Sequence, residues 1–287
     1  MAVIALMMTI SASAQFYIYF SDGTVAKVDS ISMIAPEESE QPDPSAGIGV
    51  FSVSAGKKVT FSKGNLQYHP ANDEWRFAER QTDYIGEANS NISSTYNGWL
   101  DLFGWSTSTT NFGVSTSTDY DDYSGSFVDW GTNQIGSDAP NTWRTLTYDE
   151  WYYLRYNRTN ANDLVGVAQV NGVNGLIFLP DNWACPSGVT FKSGFQNSSA
   201  DDFASYQSFT AEQWAKMESA GAIFLPAAGC RVGSEVYDIQ LRGDYGSATW
   251  DYYPRKYGLY FFSCEAHVDN DYYSHDGLSI RLVQDLQ

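Results

Sequence analysis

Alternating apolar and polar positions mark short strands in the first part of the chain. Residues 16–35 alternate on either side of Asp22-Gly23, a dipeptide that is a strong signal for a β-hairpin. The segment "GVFSVSAGKKVTFSKGNLQY" then predicts two strands, over 49–54 and 57–62, around Ala55-Gly56. "EWRFAE" predicts a third strand soon afterwards.

The end of the chain alternates in the same way. In "GLSIRLV", Leu278, Ile280 and Leu282 fall on one face, which we expect to point inward. Ser279 and Arg281 fall on the opposite face. This segment is predicted to be the closing strand of a sheet.

Two short helices are predicted from their start signals. In "LTYDEWYYLRYN", Thr147 and Glu150 have the spacing of a capping box, and Thr210 and Gln213 have it in "FTAEQWAKMESAG". One tryptophan follows in each helix, and we interpret both as core anchors. Buried strands are predicted in "LIFLPDNWACPSGVTF" and "GAIFLPAAGCRVG", whereas residues 89–142 predict long ordered loops. The fold class is therefore α+β, with two short helices, antiparallel strands and long irregular loops.

The first residues predict export of the protein. "MAVIALMMTISASAQ" has a short apolar run followed by Ala12-Ser13-Ala14, so residues 1–14 resemble a secretory signal peptide. We assign residues 15–35 to an N-terminal hairpin, 36–46 to a linker rich in Pro, Glu and Ser, and 47–287 to the main domain. We expect a cell-surface or extracellular protein without a transmembrane segment, because no apolar run is long enough to span a bilayer.

The net charge narrows the range of partners. The chain has 16 Lys and Arg against 34 Asp and Glu, so its formal net charge is −18. Such an acidic surface repels nucleic acid and anionic lipid, and neither is expected as a partner.

The cysteines and the acidic loop give no clear metal or disulfide site. Three cysteines allow either one disulfide, with Cys185–Cys230 as our guess and Cys264 left over, or three unpaired thiols. The run Asp119 to Asp122 resembles a loose calcium loop without the closing Glu, which favours a solvated acidic loop. No cofactor is expected.

Several motifs in sequence order carry a family resemblance. "WRTLTYDEW", "ACPSG", "FLPAAGCRVGS", "YGSATW" and "GLSIRLV" together resemble the Fibrobacter major paralogous domain family, within the group that shares the C-type-lectin-like fold with formylglycine-generating enzymes. The resemblance covers roughly residues 47 to 287. It implies a C-type-lectin-like fold, and a fold alone does not imply a reaction.

The functional motifs of two branches of this group are missing. Formylglycine-generating enzymes bind copper with a pair of cysteines in the C-terminal part, where this chain has only Cys264. Calcium lectins of this fold carry Glu/Gln-Pro-Asn/Asp and Trp-Asn-Asp motifs, which are not in place here. The variable proteins of diversity-generating retroelements are more similar, because their diversified positions precede a fixed closing strand. By this resemblance the segment from Tyr245 to Asp276 is the variable part.

The tyrosine-rich segment near the end of the chain supplies the candidate site. Tyr gives large contact area at low entropic cost, and Ser, Asn and Asp add adaptable hydrogen bonds, as in antibody paratopes. In "KYGLYFFSCE" we expect Leu259 and Phe261 to face the core and Tyr260 and Phe262 to face outward. The predicted ligand-binding residues are Tyr245, Trp250, Tyr252, Tyr253, Tyr257, Tyr260, Phe262, Asp269, Asn270, Tyr272, Tyr273, His275 and Asp276.

The sequence therefore predicts a non-catalytic ligand-binding protein of the receptor or adhesin type. Its expected ligand is another protein or a cell-surface structure. The alternatives are a calcium-independent carbohydrate-binding module and an enzyme of the formylglycine-generating type. A further alternative for the tyrosines themselves is that they pack a β-rich core.

Overall fold

A computed structural model describes residues 16–19, 25–28, 49–105, 114–123, 125–197, 202–251 and 254–286. The chain divides into two compact units, residues 1–43 and 44–287. The expected signal peptide, residues 1–14, and linker, residues 36–46, lie outside the described residues.

The first unit contains an antiparallel strand pair. β1 (Phe16–Tyr19) pairs with β2 (Val25–Val28), with Phe16 opposite Val28. This pairing agrees with the predicted hairpin, whose turn at Asp22-Gly23 lies outside the described residues.

The second unit is a mixture of many short strands and few helices. Its strands are β3 (Phe51–Ser54), β4 (Lys57–Phe61), β5 (Leu66–His69), β6 (Glu74–Phe77), β7 (Arg144–Thr145), β8 (Val165–Val170), β9 (Val173–Phe178), β10 (Ser208–Phe209), β11 (Ile223–Pro226), β12 (Cys230–Val232), β13 (Glu235–Tyr237), β14 (Gly243–Trp250), β15 (Arg255–Phe262), β16 (Glu265–Tyr273) and β17 (Leu282–Leu286). Its α-helices are α1 (Tyr148–Tyr152), α2 (Phe203–Tyr206) and α3 (Ala211–Ser219). The α+β class is confirmed.

Both predicted helices are present with their caps. Thr147 and Glu150 form a capping box at the start of α1, and Thr210 and Gln213 form one at the start of α3. The helix α2 and several strands, among them β8, β10, β13 and β16, were not predicted. α1 continues into a single π-helical turn over Tyr153–Asn157.

The last strand closes a four-stranded sheet in the order β3-β4-β17-β7. β17 begins later than predicted, at Leu282, and pairs Val283 with Phe61 of β4. Residues 277–279 make isolated bridges instead, including Phe103 to Leu278. The inward positions are buried as expected, but Arg281 is also buried, because its guanidinium donates to Gln81 Oε1 at 2.7 Å.

Two larger sheets and two strand pairs, β5-β6 and β12-β13, make up the rest of the second unit's described sheets. One has the order β10-β8-β9-β11, and the other is the antiparallel meander β14-β15-β16. Trp151 of α1 is fully buried between them in a cluster with Phe178 of β9 and Leu259 of β15. Trp214 of α3 is buried as well, so both predicted core anchors are confirmed.

The described part of residues 89–142 consists of turns, loops and short 3₁₀ helices, which include Tyr120–Tyr123 and Trp130–Thr132, around buried rings. Trp75 of β6, Phe103 and Trp130 pack together, with the Phe103 and Trp130 ring centroids 5.0 Å apart. The described part of the predicted long loops is therefore ordered by an aromatic cluster that it shares with β5, β6 and the end of the chain.

The three cysteines are free in the structure. The expected Cys185–Cys230 disulfide is wrong, because the two thiols lie in separate environments. Cys185 is exposed and its thiol donates to Val189 O at 3.3 Å, whereas Cys230 lies in β12 opposite Tyr237. Across the part of the chain that is described, none of the helices is both long enough and apolar enough to span a membrane.

Candidate functional site

The two faces of strand β15 carry different side chains. Leu259 and Phe261 are fully buried, as predicted, and belong to the main core cluster. Tyr260 and Phe262 lie on the other face and are half-buried. Strand alternation alone places these rings outward.

Helix α1 adds a second row of rings beside this sheet. Tyr148, Tyr152 and Tyr156 are spaced by four residues, which puts them on one side of a helix. The opposite side is anchored by the buried Trp151 and Leu154. Because the apolar side faces the core, the tyrosines remain partly exposed, and Tyr152 reaches 39% exposure.

The rings from the helix and the sheet form one continuous series of contacts. Centroid distances are 4.2 Å from Tyr257 to Tyr148, 5.7 Å from Tyr148 to Tyr152 and 4.8 Å from Tyr152 to Tyr156. The series then crosses to the sheet. We call this surface the tyrosine strip, and its members are Tyr257, Tyr148, Tyr152, Tyr156, His267, Tyr260 and Phe262.

The crossing from helix to sheet runs through a histidine. The Tyr156 hydroxyl lies 3.3 Å from His267 Nδ1, and the His267 ring lies 5.5 Å from that of Tyr260. Tyr260 in turn contacts Phe262, with centroids 6.3 Å apart. His267 is exposed, so the crossing is open to solvent.

An arginine lies among the rings at the Phe262 end of the strip. The Arg242 guanidinium carbon is 5.4 Å from the ring centre of Tyr260, 5.3 Å from that of Phe262 and 5.7 Å from that of Tyr272. Its Nε donates to Asp244 Oδ1 at 2.7 Å. This arrangement fixes a cation against three aromatic faces.

The Asp244 carboxylate is the buried anchor of this cluster. The Tyr272 hydroxyl donates to Asp244 Oδ1 at 2.5 Å. Burial raises the pKa of Asp244 to about 6, although Arg242 and the Tyr272 hydroxyl oppose that rise. Burial and the neighbouring carboxylate also raise the pKa of Tyr272 well above its ordinary value. The ion pair and the hydroxyl together hold this end of the strip in one geometry.

Carboxylates surround the opposite end of the strip. The Tyr257 hydroxyl donates to Asp251 Oδ1 at 2.8 Å, and this bond is the main reason that the pKa of Tyr257 rises to about 12. Burial, followed by Tyr152, Asp149 and Asp269, raises the pKa of Tyr148.

Three of the predicted residues form a separate group near the end of β16. The Tyr273 ring stacks on His275 with centroids 5.6 Å apart, and the Arg255 guanidinium lies 4.9 Å from the Tyr273 ring centre. Asp276 Oδ2 accepts the Tyr273 backbone N–H at 2.8 Å. Lys256 Nζ donates to the Asp276 carbonyl at 2.7 Å, so this group is tied to β15.

The structure corrects the expected exposure of several predicted residues. Tyr245 is fully buried, because its hydroxyl donates to Pro226 O at 3.1 Å and accepts from Asn65 Nδ2 at 3.1 Å. Tyr272 is buried against Asp244, and His275 is 7% exposed. These three side chains support the surface from beneath and do not form it.

Of the remaining predicted residues, some lie within the described part of the chain and some outside it. Trp250 packs on the buried Trp105 at a centroid distance of 4.5 Å, whereas Asp269 lies beside the strip. Tyr252, Tyr253 and the side chain of Asn270 lie outside the described residues. Sequence reasoning missed the tyrosines of α1, although their four-residue spacing was visible, and it missed Arg242.

The acidic loop and the cysteines give no metal site. No group of three or more His, Cys, Asp or Glu residues with metal-binding geometry occurs among the residues the structure describes. Asp119 Oδ1 accepts the backbone N–H of Asp121 at 3.0 Å, so this carboxylate stabilises its own turn.

A cleft of about 660 Å³ lies elsewhere in the second unit. Phe61, Phe77 and Trp143 line it together with charged side chains that include Lys63 and Glu218. None of the predicted ligand-binding residues lines this cleft. The strip and the cleft are therefore separate surfaces.

A comparison of the chain with protein-family models, curated proteins and solved structures finds no match.

Proposed function

We propose that this protein is a non-catalytic ligand-binding module that uses the tyrosine strip as its recognition surface. The observation that carries the proposal is the continuous series of side-chain contacts from Tyr257 to Phe262, which runs over α1, its π-helical turn, β15 and β16 and crosses from Tyr156 to His267 through a hydroxyl contact. Rings that are half-exposed and held by their neighbours offer a large contact area with little entropy left to lose on binding. The ligand class that fits is another protein or a structure on a cell surface.

The proposal includes a C-type-lectin-like fold of the Fibrobacter major paralogous domain type and export to the cell surface. The motif order along residues 47–287 supports the fold, as does the strand β17, which brings the end of the chain beside β4 near the start of the unit. The apolar run and small residues at the N-terminus support export.

We further propose that the strip's sheet residues are diversified, as in the variable proteins of retroelements. The supporting observation is the division of β15 into buried Leu259 and Phe261 and outward Tyr260 and Phe262, which allows surface change without loss of core. Sequencing the flanking DNA tests this. We expect a near-copy template that differs at the codons for Tyr260 and Phe262 but matches at Leu259 and Phe261. Finding no template and no reverse transcriptase would refute it.

The binding proposal is tested with the full chain on a displayed random-peptide library and on a glycan array. The test variant carries Tyr152→Ser, Tyr257→Ser and Phe262→Ser, and the matched control is Tyr237→Ser, because Tyr237 is 44% exposed on β13 and not part of the strip. We expect binders that the triple variant loses and the control keeps. Binders retained by the triple variant would contradict the strip as the site.

The carbohydrate alternative has one observation in its favour, which is the exposed ring of Tyr152 next to those of Tyr148 and Tyr156. Binding confined to the glycan array, unaffected by a calcium chelator, would favour it. Turnover of a sulfatase peptide with added copper would instead favour the enzyme alternative and refute a non-catalytic module.

A further inference from the structure

The cleft of about 660 Å³ in the second unit has aromatic walls. Phe61 of β4 and Phe77 of β6 line it with rings that are each 8% exposed, and Trp143 lines it with a half-buried indole. Its volume lies in the range of about 300–1,000 Å³ that small-molecule sites occupy. No member of the tyrosine strip lines the cleft, so a ligand bound there is additional to the ligand of the strip.

Trp143 and Phe77 meet at one side of the cleft, which we call the aromatic corner. Their ring centroids are 5.1 Å apart and their planes cross at 75°, so the two rings are nearly perpendicular. Across the described part of the chain, no Lys or Arg lies over either ring, whereas the Arg76 guanidinium carbon lies 3.7 Å from the ring centre of Trp99. A rounded group placed in the corner therefore contacts two aromatic walls at once.

A carboxylate is fixed beside the indole of this corner. Trp143 Nε1 donates to Asp138 Oδ2 at 2.8 Å. Asp138 ends a turn in which its backbone N–H donates to Ile135 O at 3.0 Å, and the Gly136 N–H attaches that turn to Trp75 O of β6 at 2.8 Å. Because the indole N–H donates to a negative group, the indole ring becomes richer in electrons. Its face therefore attracts a cation more strongly.

Both signs of charge line the cleft, with carboxylates in excess. The carboxylates are Glu79, Asp138 and Glu218, and the basic side chains are Lys63 and Arg76. Arg76 is engaged elsewhere, because its guanidinium lies over Trp99 and its Nε donates to Gln67 Oε1 at 2.9 Å. Lys63 is exposed, where the high dielectric of water weakens its effect on a bound ion. Asp138 forms no ion pair with a basic side chain of the described residues, so the charge nearest to the indole is negative.

We propose that this cleft binds a small ligand through a quaternary ammonium group, which lies in the aromatic corner beside Asp138. Such a group has no N–H, so water holds it less tightly than a primary ammonium, and it gains more from ring faces. Its methyl groups also cover the apolar walls that Phe61 and Phe77 provide. The inference goes beyond the proposed function, because it assigns a second ligand to a separate surface.

The first experiment compares ligands of matched shape or matched charge on the full chain, by isothermal titration calorimetry at physiological salt. The probes are choline, the neutral alcohol in which a carbon atom replaces the nitrogen of choline, and ethanolamine, which has the charge of choline but no methyl groups. We expect choline to bind about tenfold more tightly than either of the other two. Equal affinity for choline and the neutral alcohol, equal affinity for choline and ethanolamine, or no binding of choline would each overturn the inference.

Variants then locate the bound ammonium. We expect Trp143→Ala to weaken choline binding by about tenfold. Asp138→Asn keeps an acceptor for the indole N–H but removes the charge, and we expect a loss of about three- to tenfold. The controls Trp183→Ala and Asp163→Asn change a half-buried tryptophan and an exposed carboxylate outside the cleft, and they should bind choline as the wild type does.

The thermal unfolding midpoint of each variant shows whether it is folded. If Trp143→Ala does not fold, Asp138→Asn decides the outcome, because this substitution is isosteric and half-buried. Choline binding that is as tight in Asp138→Asn as in Asp163→Asn would show that the ammonium does not lie beside Asp138, and the inference would be wrong.

Failure of this inference is distinguishable from failure of the proposed function. The strip variant Tyr152→Ser, Tyr257→Ser and Phe262→Ser should bind choline as the wild type does, because none of these residues lines the cleft. If that variant loses choline while Trp143→Ala retains it, the ammonium binds on the strip and the assignment to the cleft is wrong. If choline does not bind at all, only the cleft inference fails, and the peptide and glycan tests of the strip still apply.

Discussion

Two regions of the second unit are rich in aromatic rings and use them in opposite ways. In the loop region of residues 89–142, Phe103 and Trp130 are buried, at 0% and 1% exposure. In the tyrosine strip, Tyr152 is 39% exposed and its neighbours are half-buried. The abundance of aromatic residues therefore does not tell whether a segment is core or surface.

The difference follows from how each region orders its backbone. The described part of the loop region has few regular strand pairs. Its backbone is ordered instead by packed rings and by side chains that accept backbone N–H groups. Asp129, for example, accepts the backbone N–H of Gly131 at 2.9 Å and that of Thr145 at 3.0 Å. In the meander β14-β15-β16 the backbone bonds supply that order. In α1 the helical backbone supplies it, so the outward side chains of both elements contribute less to folding and leave a surface for the proposed recognition.

The largest loss of stability that this comparison predicts is in the loop region. Trp130→Ala leaves a cavity where Trp75 and Phe103 pack, with ring centroids 5.9 and 5.0 Å from that of Trp130. We expect the free energy of unfolding to fall by about 3–5 kcal/mol in chemical denaturation. A loss below about 1 kcal/mol would show that the loop rings are not a core.

The same comparison shows what the sequence could and could not predict. The capping boxes of α1 and α3 and the alternation of Leu259 and Phe261 are local patterns, and local patterns were read correctly. Tyr245 and Arg281 are buried because their polar atoms meet Asn65 and Gln81, which are far away in the sequence. Contacts of that kind leave no periodic signal.

Only those residues of the candidate site that lie on the sheet could be predicted from the sequence. Strand alternation gave Tyr260 and Phe262, whereas the contribution of α1 depends on that helix lying beside the sheet, which no local pattern specifies. The spacing of Tyr148, Tyr152 and Tyr156 indicated a row of rings but not what lies next to it. Arg242 was missed because an arginine just before a strand carries no signal of its own.

The second prediction concerns a buried charge in the meander. Lys256 is 2% exposed, and burial lowers the pKa of its amine to about 7, with Arg231 adding to the fall and Asp276 opposing it. Above pH 7 the folded state releases this proton while the unfolded state keeps it. The free energy of unfolding therefore gains up to about 1.4 kcal/mol per pH unit from this group between pH 7 and 9.

Denaturation of the wild type and of Lys256→Met across that pH range measures this contribution. We expect the wild type to gain stability relative to the variant as the pH rises. Lys58→Met, at an exposed position on β4, should follow the wild type. A difference between wild type and Lys256→Met that does not change with pH would contradict the prediction.

The third prediction is a loss of stability at Tyr245, a ring that the sequence analysis placed on the surface. Tyr245→Phe keeps the buried ring but removes the hydroxyl that bonds Pro226 O and Asn65 Nδ2. Because two buried polar groups lose a partner, we expect a loss of about 1–3 kcal/mol in the free energy of unfolding. Ligand binding to the strip should be unchanged, and a variant that binds less well without being less stable would show that Tyr245 reaches the ligand.

The smallest change in stability is expected at the exposed centre of the strip. Tyr152→Ala makes the same truncation to alanine as Trp130→Ala, but at a ring that is 39% exposed, and alanine also favours the helix. We expect the free energy of unfolding to change by less than about 0.5 kcal/mol in the same denaturation assay. A loss close to that of Trp130→Ala would mean that the strip is part of the core, and the contrast between the two regions would then fail. A neutral result means that the ring can be replaced without cost to the fold, which is the property that the proposed recognition surface requires.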